Sequence, residues 1–428
     1  MLDIKFIREN KEIVEMAIKN KKVKEEIDLD FLLELSDKKK SLQGQLDDIN
    51  AKRNQAAKDQ NFEEGKNLKQ ELAKVQVELD SVNKDFMRLM LLIPNIPSAD
   101  TPIGNDENDN QILREWGEKP EFNFTPKEHF EIGDNLGIID KERAANVSGA
   151  RFAYIKGDLA LLQFALIQFA FDTVTTEDTL KVIIEEAGLD VSSKPFVPVV
   201  PPAMVKPEVL NRMGRLEPKE DRYYLQEDDL YLAGSAEHAL GPMHMDEVFT
   251  ENEMPVRYLG YSTSFRREAG TYGKDTKGIL RMHQFDKLEM ETFCLPEVSR
   301  QEQDLLVAIQ EYMMRRLKIP YQVISVSTGD MGKPDHRQID INSWMPGQDT
   351  YRETHTSDLM TSFQSRRLNI KVARNDGKKE LVHMNDATLF AIGRTLIAII
   401  ENYQQEDGTI RIPDVLQKYM GGKNVISK

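Results

Sequence analysis

The sequence has a single cysteine, Cys294, which excludes an internal disulfide and suits a reducing compartment. Long apolar runs are missing. The longest, such as FALIQFAF, fall well short of the roughly 20 residues a membrane helix needs. The opening MLDIKFIREN has no signal-peptide core. These absences predict a cytoplasmic protein with no membrane partner. No GxxxxGK[ST] loop, no GxGxxG after a strand and no GxSxG elbow is present. The histidines (129, 238, 244, 283, 336, 355 and 383) and the cysteine form no zinc spacing. Positive charge is also short, with 57 Lys/Arg against 72 Asp/Glu, a formal charge of −15. Such a chain has no general attraction for nucleic acid, and DNA is not expected as a partner. Any nucleotide must be handled on the faces of strands.

At 428 residues, 40% hydrophobic and 30% charged, the chain has room for two or three globular domains. Its charge is uneven. Residues 1–93 hold 18 basic and 19 acidic side chains, a net of −1, which leaves −14 for the remainder. The N-terminal region is therefore the better candidate for an RNA contact. Leu35, Lys39, Leu42, Leu46, Ile49 and Arg53 form one heptad seam, and Leu68, Leu72, Val75, Leu79, Val82, Phe86 and Leu89 form a second. The polar break DQNFEEG between them predicts an antiparallel helical hairpin over about 30–93, stopped by Pro94. A dimerisation coil, a spacer and an arm gripping a long partner all fit that pattern. PNIPSADTPIGNDENDN, residues 94–110, reads as a linker, which divides the chain into 1–110 and 111–428. Beyond Pro201 and Pro202, alternating segments such as RYLGYSTSFRRE, GILRMHQFDKLEME and RQIDINSWM predict a mostly antiparallel sheet with flanking helices. The expected fold class is α+β.

One stretch concentrates chemistry: FRREAGTYGKDTKGILRMHQFDKLEM, residues 265–290. If both of its arms are strands, Arg266 and Glu268 share a face, as do Arg281, His283, Phe285, Lys287 and Glu289. Arginine forks suit phosphate, a phenyl ring stacks on a purine, and a carboxylate accepts from an amine or hydroxyl. That surface fits ATP and a small amine-bearing acid. A charged strand pair with cross-strand ion pairs fits the pattern equally.

The stretch resembles motif 2 of the class II aminoacyl-tRNA synthetases, in the form found in the seryl-tRNA synthetase family of bacterial type. The opening residues, the hairpin, VSGARFAYIKGDLALLQFALIQFAFD, QSRRLNIKV and GRTLIAIIENYQQEDGTIRIPDVLQKYMGG resemble that family in the same order. The resemblance places motif 1 around 185–204, with Pro201 and Pro202 at a dimer interface, motif 2 around 257–290 and motif 3 around 383–403. It implies that Arg266 meets the α-phosphate and the serine carboxylate, that Glu268 reads adenine, that Arg281 meets the γ-phosphate, and that Phe285 stacks on adenine. Arg267, Met282, His283 and Gln284 complete the implied ATP stretch, and Glu289 binds serine. The loop at 270–278 would reach toward the tRNA acceptor end. AGSAEHAL implies serine contacts at Ser235, Ala236 and Glu237. YRETHTSD places Glu353, Thr354, His355 and Thr356 at ATP, with Glu353 and Thr356 on Mg²⁺; a satisfied structural histidine is the equal alternative for His355. DATLFAIGR puts Thr388 on serine and Arg394 on ATP, with Ala387 and Leu389 where the family has glycine.

The implied activity is serine activation by ATP, with Arg266, Glu353 and Arg394 catalytic, followed by transfer to tRNA(Ser), and to tRNA(Sec) as a precursor of selenocysteinyl-tRNA. The implied protein is a homodimer using L-serine, ATP and Mg²⁺, without zinc. Its hairpin is the tRNA-binding arm, with Lys52, Arg53, Lys58, Lys66, Lys69 and Lys74 as candidate contacts. Two rivals remain: a catalytically inactive tRNA-binding homologue, and a ligase charging a carrier protein.

Overall fold

The computed structural model describes residues 1–269 and 277–428. They form two compact units, Met1–Ile96 and Pro97–Lys428.

The first unit is dominated by α1 (Leu29–Lys58) and α2 (Phe62–Leu92), which pack against each other as a hairpin. Both heptad seams are at that contact. Leu35, Leu42, Leu46, Ile49, Leu68, Leu79, Val82, Phe86 and Leu89 are buried, and Leu72 and Val75 are partly so. Each buried aliphatic side chain contributes about 1.5–3 kcal/mol, so the seam carries this two-helix unit. The turn is tighter than the polar break predicts. Asn61 caps α2 by accepting from the Glu64 backbone N–H at 3.2 Å, so helix resumes at Phe62. Gln60 takes the left-handed conformation there, with φ 54°.

The second unit is built on an eight-stranded sheet: β1 (Gln111–Trp116), β2 (Val197–Val199), β3 (Val256–Phe265), β4 (Gln284–Cys294), β5 (Tyr321–Ser325), β6 (Arg337–Met345), β7 (Thr350–Thr361) and β8 (His383–Ala391). Their order is β1-β5-β6-β7-β8-β4-β3-β2, and only the β2–β3 pair is parallel. Helices Asp158–Val174, Ser299–Leu317 and Ile392–Asn402 supply much of the core against it. Residues 98–110 are fastened to this unit: Ser98 N–H donates to His336 O at 2.7 Å, and Asn110 Oδ1 accepts from Ser327 N–H at 2.8 Å. Among the described residues, no single helix is long and apolar enough to cross a membrane.

Two irregularities position the site. The β4–β8 register shifts between Leu288 and Glu289, passing over Leu389 and setting Glu289 opposite Thr388. The β6–β7 register shifts between Ile341 and Asn342, passing over Thr354.

Candidate active site

The central strands open into one cleft lined by Arg266, Glu268, Arg281, Met282, Phe285, Lys287, Glu353, Thr354, Thr356, Thr388 and Arg394. Strand alternation accounts for only part of it. The β3–β4 pair ends at Phe265 opposite Gln284, so Arg266 and Glu268 lie beyond one strand, and Arg281 and His283 precede the other. They converge through local contacts. Arg266 Nε donates to Gly234 O at 3.0 Å, and its guanidinium lies 5.3 Å from the Phe285 ring centroid. Glu268 takes a left-handed φ of 52° and pairs with Arg281 Nε at 2.7 Å. Arg394 binds the Glu353 carboxylate at 3.0 Å and its backbone carbonyl at 2.8 Å.

Deeper in the site is a small cage. Ser235 Oγ–H donates to Glu289 at 3.1 Å, Thr388 Oγ1–H donates to the other Glu289 oxygen at 3.5 Å, and Lys287 Nζ forms an ion pair with Glu289. Burial pushes the Glu289 carboxyl above its usual pKa, and Lys287 opposes that rise. Gly260, opposite Glu289 on β3, lets the Ser235–Leu240 segment approach. A Cβ there would come within 2.6 Å of Leu240 and 3.3 Å of Ala236. Ala236 is fully buried in that segment. Glu237 is committed elsewhere, to Arg215 at 2.7 Å and Gln364 at 3.3 Å. Burial raises its pKa, but Arg215, His238 and Lys287 outweigh that and hold it at about 2.

Four residues assigned to ATP do not line the cleft. Arg267 lies beyond the end of β3 and stacks on Tyr223, 5.0 Å from the ring centroid. His283 precedes β4, packs between Phe152 and Tyr223, and has Nδ1 2.9 Å from Arg266 O. Gln284 alternates to the opposite face and lines a second cavity with Asp286. His355 is buried beside Phe390; its Nδ1 is 2.8 Å from Thr354 Oγ1, and burial lowers its pKa to about 3. It is a buried core histidine, but not a fully satisfied one, since its Nε2 has no hydrogen-bond partner among the described residues. Most of the 270–278 loop lies outside the described residues.

Three features were not given a role from the sequence. Lys287 shares the Phe285–Glu289 face, so period-two alternation was the signal for it. Asp340 comes near Glu353 and Thr356 only through cross-strand pairing. Burial first, then the Glu353 charge, pushes its pKa up to about 8. Glu291, Asp386 and Asp358 pair across β4, β8 and β7 as a buried acidic row, one step deeper than Glu289. Burial raises all three pKa values, and neither Glu291 oxygen has a hydrogen-bond partner.

On the arm, Lys52, Lys58, Lys66, Lys69 and Lys74 are exposed, and Arg53 is half-buried. Among the described residues none of these six pairs with a carboxylate, whereas Lys38, nearer the base of the hairpin, pairs with Glu78 at 2.7 Å.

Comparison with known proteins bears on both units. Residues 1–97 match the family model described as the seryl-tRNA synthetase N-terminal domain, and residues 220–403 match the class II tRNA synthetase core domain (G, H, P, S and T). A serine–tRNA ligase of Syntrophotalea carbinolica is 38% identical over 100% of both chains. One from Bacillus cytotoxicus is 44% identical over 80% of this chain and 77% of its own. The crystal structure of seryl-tRNA synthetase from Pyrococcus horikoshii complexed with ATP superposes with a TM-score of 0.86 at 34% identity, covering 100% of this chain and 99% of that one. With its helical arm, antiparallel class II core and Arg–Phe–Glu cleft, this chain belongs to the seryl-tRNA synthetase family.

Proposed function

We propose that the protein is a cytoplasmic serine–tRNA ligase that activates L-serine with ATP and transfers it to tRNA(Ser) and, by the same contacts, to tRNA(Sec). The observation that carries this reading is the Ser235–Glu289–Thr388 cage, whose Thr388 lines the same cleft as Arg266 and Phe285. Adenine stacks on Phe285 with Glu268 at its edge. Arg281 and Arg394 meet the outer phosphates after releasing Glu268 and Glu353. Arg266 lies where the serine carboxylate and the α-phosphate must meet. Bringing two anions together is the main obstacle, and fixed cations lower it without a protein nucleophile. Glu289 and Thr388 accept and donate to the serine hydroxyl. Alanine would leave Thr388 and one Glu289 oxygen unpaired in a buried site, a discrimination on the order of 10⁴ or more. Threonine is excluded by size.

The oxygen donors of Glu353 and Thr356 suit Mg²⁺. When bound, Mg²⁺ would neutralise phosphate oxygens. The exposed arm cations face a backbone partner, recognised by shape more than by base edges. A homodimer belongs to this reading. Both edges of the sheet carry exposed apolar side chains, Ile112 and Leu113 at one and Val197 and Val200 at the other, and every residue of β1 is exposed. Serine-dependent ATP–pyrophosphate exchange, followed by charging of purified tRNA(Ser) with and without its variable arm, tests the reading. Exchange without charging would leave a different acceptor, and neither would leave an inactive homologue.

A further inference from the structure

We propose that Lys287 balances charge in the serine cage by exchanging partners. In the empty cage it holds Glu289; when serine enters, it turns to the substrate carboxylate and the α-phosphate oxygen under attack. The inference rests on the functional reading above.

The geometry is that of a buried cation between two subsites. The Lys287 side chain is 9% exposed. Its Nζ pairs with Glu289, donates to Ser235 Oγ at 3.3 Å, and also lines the ATP cleft with Arg266. Glu289 is the acid that Lys287 neutralises, because Glu237 is held by Arg215. The empty cage is therefore balanced, one carboxylate against one ammonium. A serine zwitterion adds one charge of each sign. Left in place, Lys287 would compete with the incoming ammonium for a single buried carboxylate, while the incoming carboxylate met Arg266, whose Nε is already engaged by Gly234 O. Two like charges sharing one buried counter-ion is costly. One exchange resolves both shortages: the serine ammonium takes Glu289, and Lys287 joins Arg266 on the carboxylate. A flexible four-carbon stem permits that movement better than a planar guanidinium would.

In the step that follows, a serine carboxylate oxygen bonds to the α-phosphorus. The bond from that phosphorus to the bridging oxygen breaks, and its electron pair leaves with pyrophosphate. No proton moves. The Lys287 ammonium offsets the charge gathering on the α-phosphate oxygens.

The assignment separates turnover from binding. In Lys287→Met the stem remains and the charge is lost. Exchange kcat is expected to fall by about 10²–10³. The serine Kd, read by calorimetry without ATP, is expected to change less than about threefold, because the ammonium then meets Glu289 without competition. Lys287→Arg should recover at least about tenfold of the lost kcat, since it restores the charge. Unchanged kcat in Lys287→Met would overturn the proposal. So would parallel loss of serine binding, kcat and thermal stability with no rescue by arginine, which would make Lys287 a structural ion pair. Wild-type protein lacking serine-dependent exchange would overturn the functional reading and this inference with it; normal wild-type exchange with an unaffected Lys287→Met overturns the inference alone.

Discussion

The arm and the cleft use charge in opposite ways. On the arm, Lys58, Lys66 and Lys69 stand exposed, with no carboxylate partner among the described residues. In the cleft, Arg281, Arg394 and Lys287 are already paired, with Glu268, Glu353 and Glu289. The first arrangement suits an extended polyanion that docks without rearrangement in the protein. The second keeps a site rich in cations from collapsing onto the wrong anion, and it requires each pair to open as substrate arrives. Net charge says little about either region: a chain of −15 carries its functional cations locally.

The largest effect expected is confined to the cleft. Glu289→Ala removes the acid that Ser235, Thr388 and Lys287 converge on, and serine-dependent exchange should fall on the order of 10⁴-fold. Binding of tRNA, measured by filter retention, should stay within about twofold if the two regions act separately. A matching loss of tRNA binding would break the comparison.

The converse substitution belongs to the arm. Replacing Lys58, Lys66 and Lys69 by alanine should weaken tRNA binding and reduce the log–log salt slope by about two to three, since each lost phosphate contact removes roughly one from it. Exchange should be untouched. An unchanged slope would mean that these lysines are a solvated helix face.

The smallest effect concerns the acidic row beneath the cage. Burial, reinforced by Glu237 and Glu289, raises the Glu291 pKa in the folded protein. The folded state therefore holds that proton more tightly than the unfolded chain, whose glutamate pKa is near about 4.3. The stability this contributes is fully present below that pH and is lost as pH rises toward the folded value, at up to about 1.4 kcal/mol per pH unit. Glu291→Gln should thus be more thermostable than wild type at pH 8, with the advantage shrinking toward pH 5. Equal differences at both pH values would show that Glu291 is not the titrating group.

The two regions also differed in how much of them could be read from the residues. A heptad seam repeats one packing relation many times, so Leu35 through Leu89 were legible. On β4 alternation identified Phe285 and Glu289 for the same reason. It failed at His283, because β4 starts at Gln284 and side-chain direction in a loop has no period; Arg267 it set opposite Arg266, and the ATP role there came only from the resemblance. It set Gln284 on the face opposite Phe285, where that residue lies; the ATP role there came only from the resemblance. The β-bulges passing over Leu389 and Thr354 could not be read either, and they decide which hydroxyls meet Glu289 and the cleft. His355 carries no local mark distinguishing a ligand from a core histidine; only Phe390 and complete burial do that.

The central claim, that a self-sufficient adenylating cleft depends on a separate arm only for its RNA substrate, is tested most directly by deleting residues 36–93 and assaying one preparation twice. The account predicts serine-dependent pyrophosphate exchange within about twofold of the intact protein, alongside charging of tRNA(Ser) reduced by about 10²-fold or more. Exchange lost together with charging, or charging that survives without the arm, would contradict it.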